Sequence, residues 1–200
     1  MTSQRVVLYM DAQNLYKGAR DGFGVGHDPF TFGQIHPVEL GKLICSRPPP
    51  GQTRLLEETR IYTGRPDSSR QPVGYGANLA QCAVWEKAGA TVIPRTLRYP
   101  FDWPASKAQE KGIDVALAID FVTGAIDGKY DVGIICSTDS DLRPGLEYVY
   151  RKFGGSPRAE VMAWSNSYRL SVPGINIWCH YVDQYDFAAI SLSTSHLAPH

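Results

Sequence analysis

Cysteines placed to act together are what this chain lacks first. Its four, Cys45, Cys82, Cys136 and Cys179, stand far apart, with no C-x-x-C pair and no histidine at ligand spacing. That pattern excludes a disulfide framework and a thiolate zinc site, and predicts reduced thiols. Nor is there any run near the roughly 20 apolar residues that a membrane-spanning helix needs. The first residues pass from Met1-Thr2-Ser3-Gln4-Arg5 straight into a strand pattern, without the apolar core or small-residue cleavage site of a signal peptide. The expected location is the cytoplasm, and no membrane partner is expected.

Net charge is missing too: 20 basic and 20 acidic side chains cancel, so the strong basic excess common in nucleic-acid-binding domains is absent. The balance is uneven along the chain. Residues 54–111 carry 9 basic and 6 acidic side chains, whereas residues 112–200 carry 6 and 10. A concentration of carboxylates of this kind calls for cations to relieve it.

What is present is an alternation of strand and helix patterns over a length that suits one domain. Residues 6–10, 55–63, 90–94, 131–136, 159–164 and 175–182 read as strands. Residues 37–45, 79–88 and 142–153 read as helices, with a short helix after Asp11 and another over 165–170. The Pro48-Pro49-Pro50-Gly51 segment is a breaker, and 21–35 and 64–76 are Gly/Pro-punctuated loops. Residues 112–122 form a helix that is apolar nearly all round, which predicts burial on every face. Such alternation predicts a three-layer α/β/α fold, PIN-like or Rossmann-like, with a central, mainly parallel sheet. It occupies residues 1–190, followed by a loose tail over 191–200.

Carboxylates fall where such a fold builds active sites, at the C-terminal ends of strands. Asp11 ends the first strand pattern. Asp139 and Asp141 follow the apolar run Val132-Gly133-Ile134-Ile135-Cys136, and Asp114 opens the apolar helix. Each has an ordinary structural reading: aspartates cap helices, and Asp-x-Asp turns arise by chance. Their coincidence at one sheet edge is harder to explain that way. Asp120 falls roughly 120° around the helix from Asp114 and is predicted to face elsewhere. A group of oxygen ligands favours Mg²⁺ or Mn²⁺ over zinc and suits phosphodiester hydrolysis.

Three stretches also carry a resemblance: Asp11-Ala12-Gln13-Asn14-Leu15; Glu110-Lys111-Gly112-Ile113-Asp114 running on to Asp120; and Ser137-Thr138-Asp139-Ser140-Asp141-Leu142. In this order they resemble the three motifs of NYN domains, and more closely the LabA/DUF88-like branch of that PIN-like nuclease superfamily, over about residues 5–185. The resemblance implies a metal-dependent ribonuclease that hydrolyses RNA to leave a 5′-phosphate. Asp11, Asp114, Asp139 and Asp141 would form the catalytic, metal-holding acids, with Asp11 and Asp139 touching metal directly. Asn14, Lys111, Ser137 and Ser140 would meet the RNA, with Thr138 shaping the turn.

Arg54, Arg60, Arg65, Arg70, Arg95 and Arg98 offer phosphate contacts. Tyr62, Tyr75, Tyr99, Phe101 and Trp103 are candidates to stack unpaired bases. The alternative is a non-catalytic or weakly active regulator on the same fold, binding RNA, a protein partner or a second copy. An aspartyl-phosphate chemistry ranks below both, because that pair of acids usually sits on the first strand, where only Asp11 is offered.

Overall fold

The computed structural model describes residues 3–24, 27–29 and 31–192. Its centre is strand β1 (Gln4–Asp11), in which Val6, Val7, Leu8, Tyr9 and Met10 are all at most 2% exposed. A strand covered on both faces is what a continuous apolar run encodes in a parallel sheet. Around it lie β2 (Arg54–Arg65), β3 (Thr91–Thr96), β4 (Val132–Cys136), β5 (Arg158–Trp164) and β6 (Cys179–Val182). The six strands run in the order β3-β2-β1-β4-β5-β6, every neighbouring pair parallel. Pro94 is tolerated because β3 is an edge strand, where a missing ladder donor does little harm.

Side chains of β1 alternate between two cores. Val6, Leu8 and Met10 pack with helices α1 (Ala12–Phe23), α2 (Pro37–Ser46), α3 (Pro72–Lys87) and α6 (Gln184–Ile190). Val7 and Tyr9 pack with α4 (Ile113–Ile126) and α5 (Arg143–Phe153) on the other face. The chain thus leaves β1 on one face and enters β4 from the other, so the switch point of the sheet lies between those two strands. This is the expected three-layer architecture.

Several expectations are corrected. Helix α3 begins at Pro72, where proline at N1/N2 starts a helix inside the stretch read as loop. Residues 165–170 form no helix; the connection from β5 to β6 instead inserts Leu170, Val172 and Ile177 into the second core. The last strand shortens to Cys179–Val182, and α6 follows it, started by a capping box between Asp183 and Asp186. Helix α4 is not buried all round, since Val115, Ile119 and Ile126 are 55–60% exposed. At the start of the expected tail, Leu192 is buried and donates its N–H to Gln34 O at 3.0 Å; residues 193–200 lie outside the described residues. The four cysteines are free thiols. Among the described residues no helix is long and apolar enough to cross a membrane.

Toward the N-terminal end of the strands a charged group is sealed beneath the sheet. The Arg54 side chain, with no exposed surface, grips Glu160 with both nitrogens of its fork (2.7 and 2.8 Å). His180 Nε2 lies 2.8 Å from Glu160 Oε2. The bidentate geometry is what lets two buried charges coexist.

Candidate functional site

At the C-terminal ends of β1 and β4 the predicted acids come together. Asp11 is the last residue of β1 and the N-cap of α1, its Oδ1 accepting the Asn14 N–H at 3.0 Å. Only 6% of the residue is exposed. Beyond β4, the buried Ser137 hydroxyl donates to Asp11 Oδ2 at 3.4 Å and accepts the Asp139 N–H at 3.1 Å. One hydroxyl therefore ties the tips of the two central strands. Asp139 in turn caps the 3₁₀ turn Ser140–Leu142, accepting the Asp141 N–H at 2.9 Å. Asn14 is the second tie: its Oδ1 accepts both the N–H and the hydroxyl of Thr138, at 3.0 and 3.2 Å.

Asp114 arrives from the opposite face, in the first turn of α4. That helix starts at Gly112 with φ of 73°, a left-handed conformation that glycine adopts without strain. Arg95 at the end of β3 lies beside the same glycine: a Cβ there would stand 3.4 Å from Arg95 Nη1. Lys111 and Ser140 are exposed at the rim, whereas Ser137 is buried inside it.

Electrostatics binds these acids into one unit. Burial pushes the Asp11 carboxyl above its ordinary range; the Asn14 N–H opposes this, and Asp114 and Asp139 push it further. Asp114 is raised by its own desolvation, then by Asp139 and Asp141. Asp114 thus feels Asp139 and Asp141, and Asp11 feels Asp114 and Asp139, around the switch point.

Sequence reasoning missed a fifth member, Glu110. Burial raises its carboxyl, as do Asp11 and Asp114, while the Gly64 N–H and Lys17 pull it down. Its Oε1 accepts the Gly64 N–H at 2.8 Å, and a Cβ at Gly64 would collide with that oxygen. The available signal was its place four residues before Asp114 in the motif. Lys17, one turn beyond Asn14 on α1, is the nearby cation that sequence reasoning also passed over.

Other candidates lie elsewhere. Asp120 faces away, as predicted, accepting from Arg60 Nη2 at 2.9 Å and from the Tyr62 hydroxyl at 2.7 Å. Tyr62 is wholly buried, and Tyr99 packs edge-on against Trp103 beneath the Arg70 guanidinium, so both are structural. Arg54 is sealed in the buried group and Arg60 is engaged by Asp120 and Glu58.

Among the described residues no group of three or more His, Cys, Asp or Glu side chains is gathered tightly enough to hold a metal ion. The donor chemistry nevertheless fits a hard divalent cation: Asp11 and Asp139 flank the switch point with oxygen donors. Mg²⁺ is commonly held by one or two carboxylates while keeping several waters.

A doubly wound parallel sheet with carboxylates at its switch point is consistent with the class of PIN-like α/β domains. The chain matches the NYN domain over residues 5–155. It belongs to the NYN domain family, part of the PIN-like nuclease superfamily, whose members are nuclease-type hydrolases that generally use divalent metals. No curated protein matches the chain. Among solved structures it is similar to a protein of unknown function from Vibrio parahaemolyticus, at 16% identity and a TM-score of 0.49. That likeness covers 82% of this chain and 84% of the other.

Proposed function

We propose that this NYN domain is a metal-dependent ribonuclease, hydrolysing RNA phosphodiester bonds at the edge formed by Asp11, Asp114, Asp139 and Asp141. The observation that carries the reading is the buried Asp11, whose carboxyl is driven up by its own burial and by Asp114 and Asp139, acids from distant parts of the chain. Acids that repel one another across a strand switch point have no evident structural use. They become useful when positive charge is brought among them.

Asp11 and Asp139 would hold Mg²⁺ or Mn²⁺, with Asp114 and Asp141 reaching it directly or through water. A bound divalent ion would supply stabilisation of the charge developing on the phosphoryl oxygens and a lowered pKa for a coordinated water. The chain's own groups do the rest. Ser137 and Asn14 fix the loop that presents Asp139. Glu110, with Oε1 taken by the Gly64 N–H, keeps Oε2 as the atom to accept a proton from the attacking water. Its raised carboxyl pKa brings it closer to the range a general base needs. Lys17, Lys111 and Arg95 offer cations to the RNA backbone around the acids. In-line attack at phosphorus breaks the bond to the 3′ oxygen and leaves a 5′-phosphate.

The exposed row Val115, Ile119 and Ile126 on α4 favours a second reading, a regulator that uses this face to bind a protein partner. One assay separates the two. Cleavage of single-stranded RNA should require Mg²⁺ or Mn²⁺ and fall by at least about a hundredfold in Asp139→Asn, the scale for losing a group that stabilises transition-state charge. Cleavage that is metal-independent, or equal in the variant, sinks the nuclease reading.

A further inference from the structure

Beside the acids, on the α1 side, lies a polar cavity of about 240 Å³, of whose lining the chemistry above uses only Asn14 and Lys17. Asn14, Lys17, Asp21, Thr138, Asn166 and Ser167 line it. It is smaller than the roughly 300–1,000 Å³ of pockets for drug-sized ligands, a size for one planar heterocycle.

Its walls are preset. The Trp164 indole N–H donates to Leu15 O at 3.1 Å, and the Ser167 N–H returns to Trp164 O at 2.9 Å, so the turn after β5 is fastened to α1. Asn166 donates its amide to Gly22 O at 3.0 Å, which leaves its Oδ1 as the acceptor for a ligand. Asn14 is the converse case: Thr138 occupies its Oδ1, so its amide N–H groups are the donors that remain. Lys17 adds a donor and Asp21 an acceptor. Donors and acceptors interleaved over one small cavity match the edge of a nucleobase.

The residue after Ser167 is Tyr168, 90% exposed. An exposed aromatic ring one residue along the chain from the cavity-lining Ser167 is available to stack on a base. The cavity shares Asn14 and Thr138 with the loop that carries Asp139, so an occupant would be a near neighbour of the scissile phosphate.

We infer that this cavity holds an unpaired base of single-stranded RNA next to the bond that is cut, with Tyr168, the residue after Ser167, stacking on it. A base inside a duplex is stacked and paired and cannot present its edge to a recess. The inference rests on the ribonuclease reading for its ligand but not on catalysis, which allows the two to be tested apart.

The experiment is a fluorescence-anisotropy titration of short labelled single-stranded RNAs, with a duplex of equal length for comparison, carried out in the Asp139→Asn background so that the probe survives. Single strands should bind more tightly than the duplex. Adding Tyr168→Ala or Asn166→Ala should weaken single-strand binding about tenfold, while Tyr148→Ala, an exposed tyrosine on α5, serves as the control for removal of a ring. Binding unchanged by both cavity variants, or equal for single strand and duplex, overturns the inference. If the wild type fails to cleave yet binding stays sensitive to Tyr168, catalysis alone is refuted and the subsite stands. If it cleaves while both variants bind as before, the subsite alone is refuted. A chain that binds no RNA refutes both.

Discussion

Asp11 performs two tasks whose demands conflict. As an N-cap it is an ordinary helix-starting aspartate; as one of several acids around the switch point it is held in a dehydrated, negatively charged corner. Since burial and its acidic neighbours raise the folded-state carboxyl above its unfolded value, the folded state binds the proton more tightly. Stability is therefore favoured at low pH and declines as pH rises from the unfolded value, about 3.9, through the folded one. Glu110 and Asp114, also raised, act in the same direction. Asparagine caps as well as aspartate, so Asp11→Asn should keep the helix start and remove the repulsion. In chelator at pH 8, Asp11→Asn is expected to melt about 2–4 °C higher than wild type. Mg²⁺ or Mn²⁺ should raise the wild-type Tm and leave the variant's nearly unmoved. An Asp11→Asn protein that melts lower in chelator would show that the acid contributes as a structural partner.

Most strands were legible from sequence, but two helix starts with local causes, Pro72 at α3 and the Asp183–Asp186 capping box at α6, were read over, and what tertiary contacts fix was opaque. The β1 and β4 runs and their terminal acids follow from apolar patterning alone. Glu110 was hidden because what gives it meaning is Gly64, 46 residues away and stripped of a side chain so that the carboxylate can approach. The cavity at Asn166 was hidden for a similar reason: the pattern over 165–170 resembles a helix, but Leu170 is drawn into the core and the turn is pinned to α1. Nor does local patterning disclose that Arg54, Glu160 and His180 meet. In that buried group burial pushes the Glu160 carboxyl up, but His180 and Arg54 outweigh it and hold the group below its ordinary range. The pH dependence is thus opposite in sign to that of Asp11: the contribution is complete above the unfolded value, about 4.3, and is lost as pH falls through the folded one. Glu160→Gln, which strands a fully buried guanidinium, should cost about 3–5 kcal/mol. Urea denaturation would register this as a lower midpoint with an unchanged slope; a midpoint within experimental error of wild type would refute it.

On the scale of the whole molecule, the NYN match stops at residue 155, yet the sheet does not. β5 and β6 complete it, Glu160 receives Arg54, and Trp164 packs with Phe23 and Phe187 in the first core. A chain cut after residue 156 would remove Glu160 and His180 from Arg54 and open one flank of β4. It is expected to show no cooperative thermal transition by circular dichroism. A cooperative melt from that fragment would show that the matched region folds unaided. The same division separates two kinds of hereditary change. The acids sit on the shared side of the boundary, whereas Asn166, Ser167 and Tyr168 sit on a short, helix-free connection beyond it. Under the proposed reading, exchanges along that connection retune which transcript is gripped while the proposed scissors themselves stay as they are.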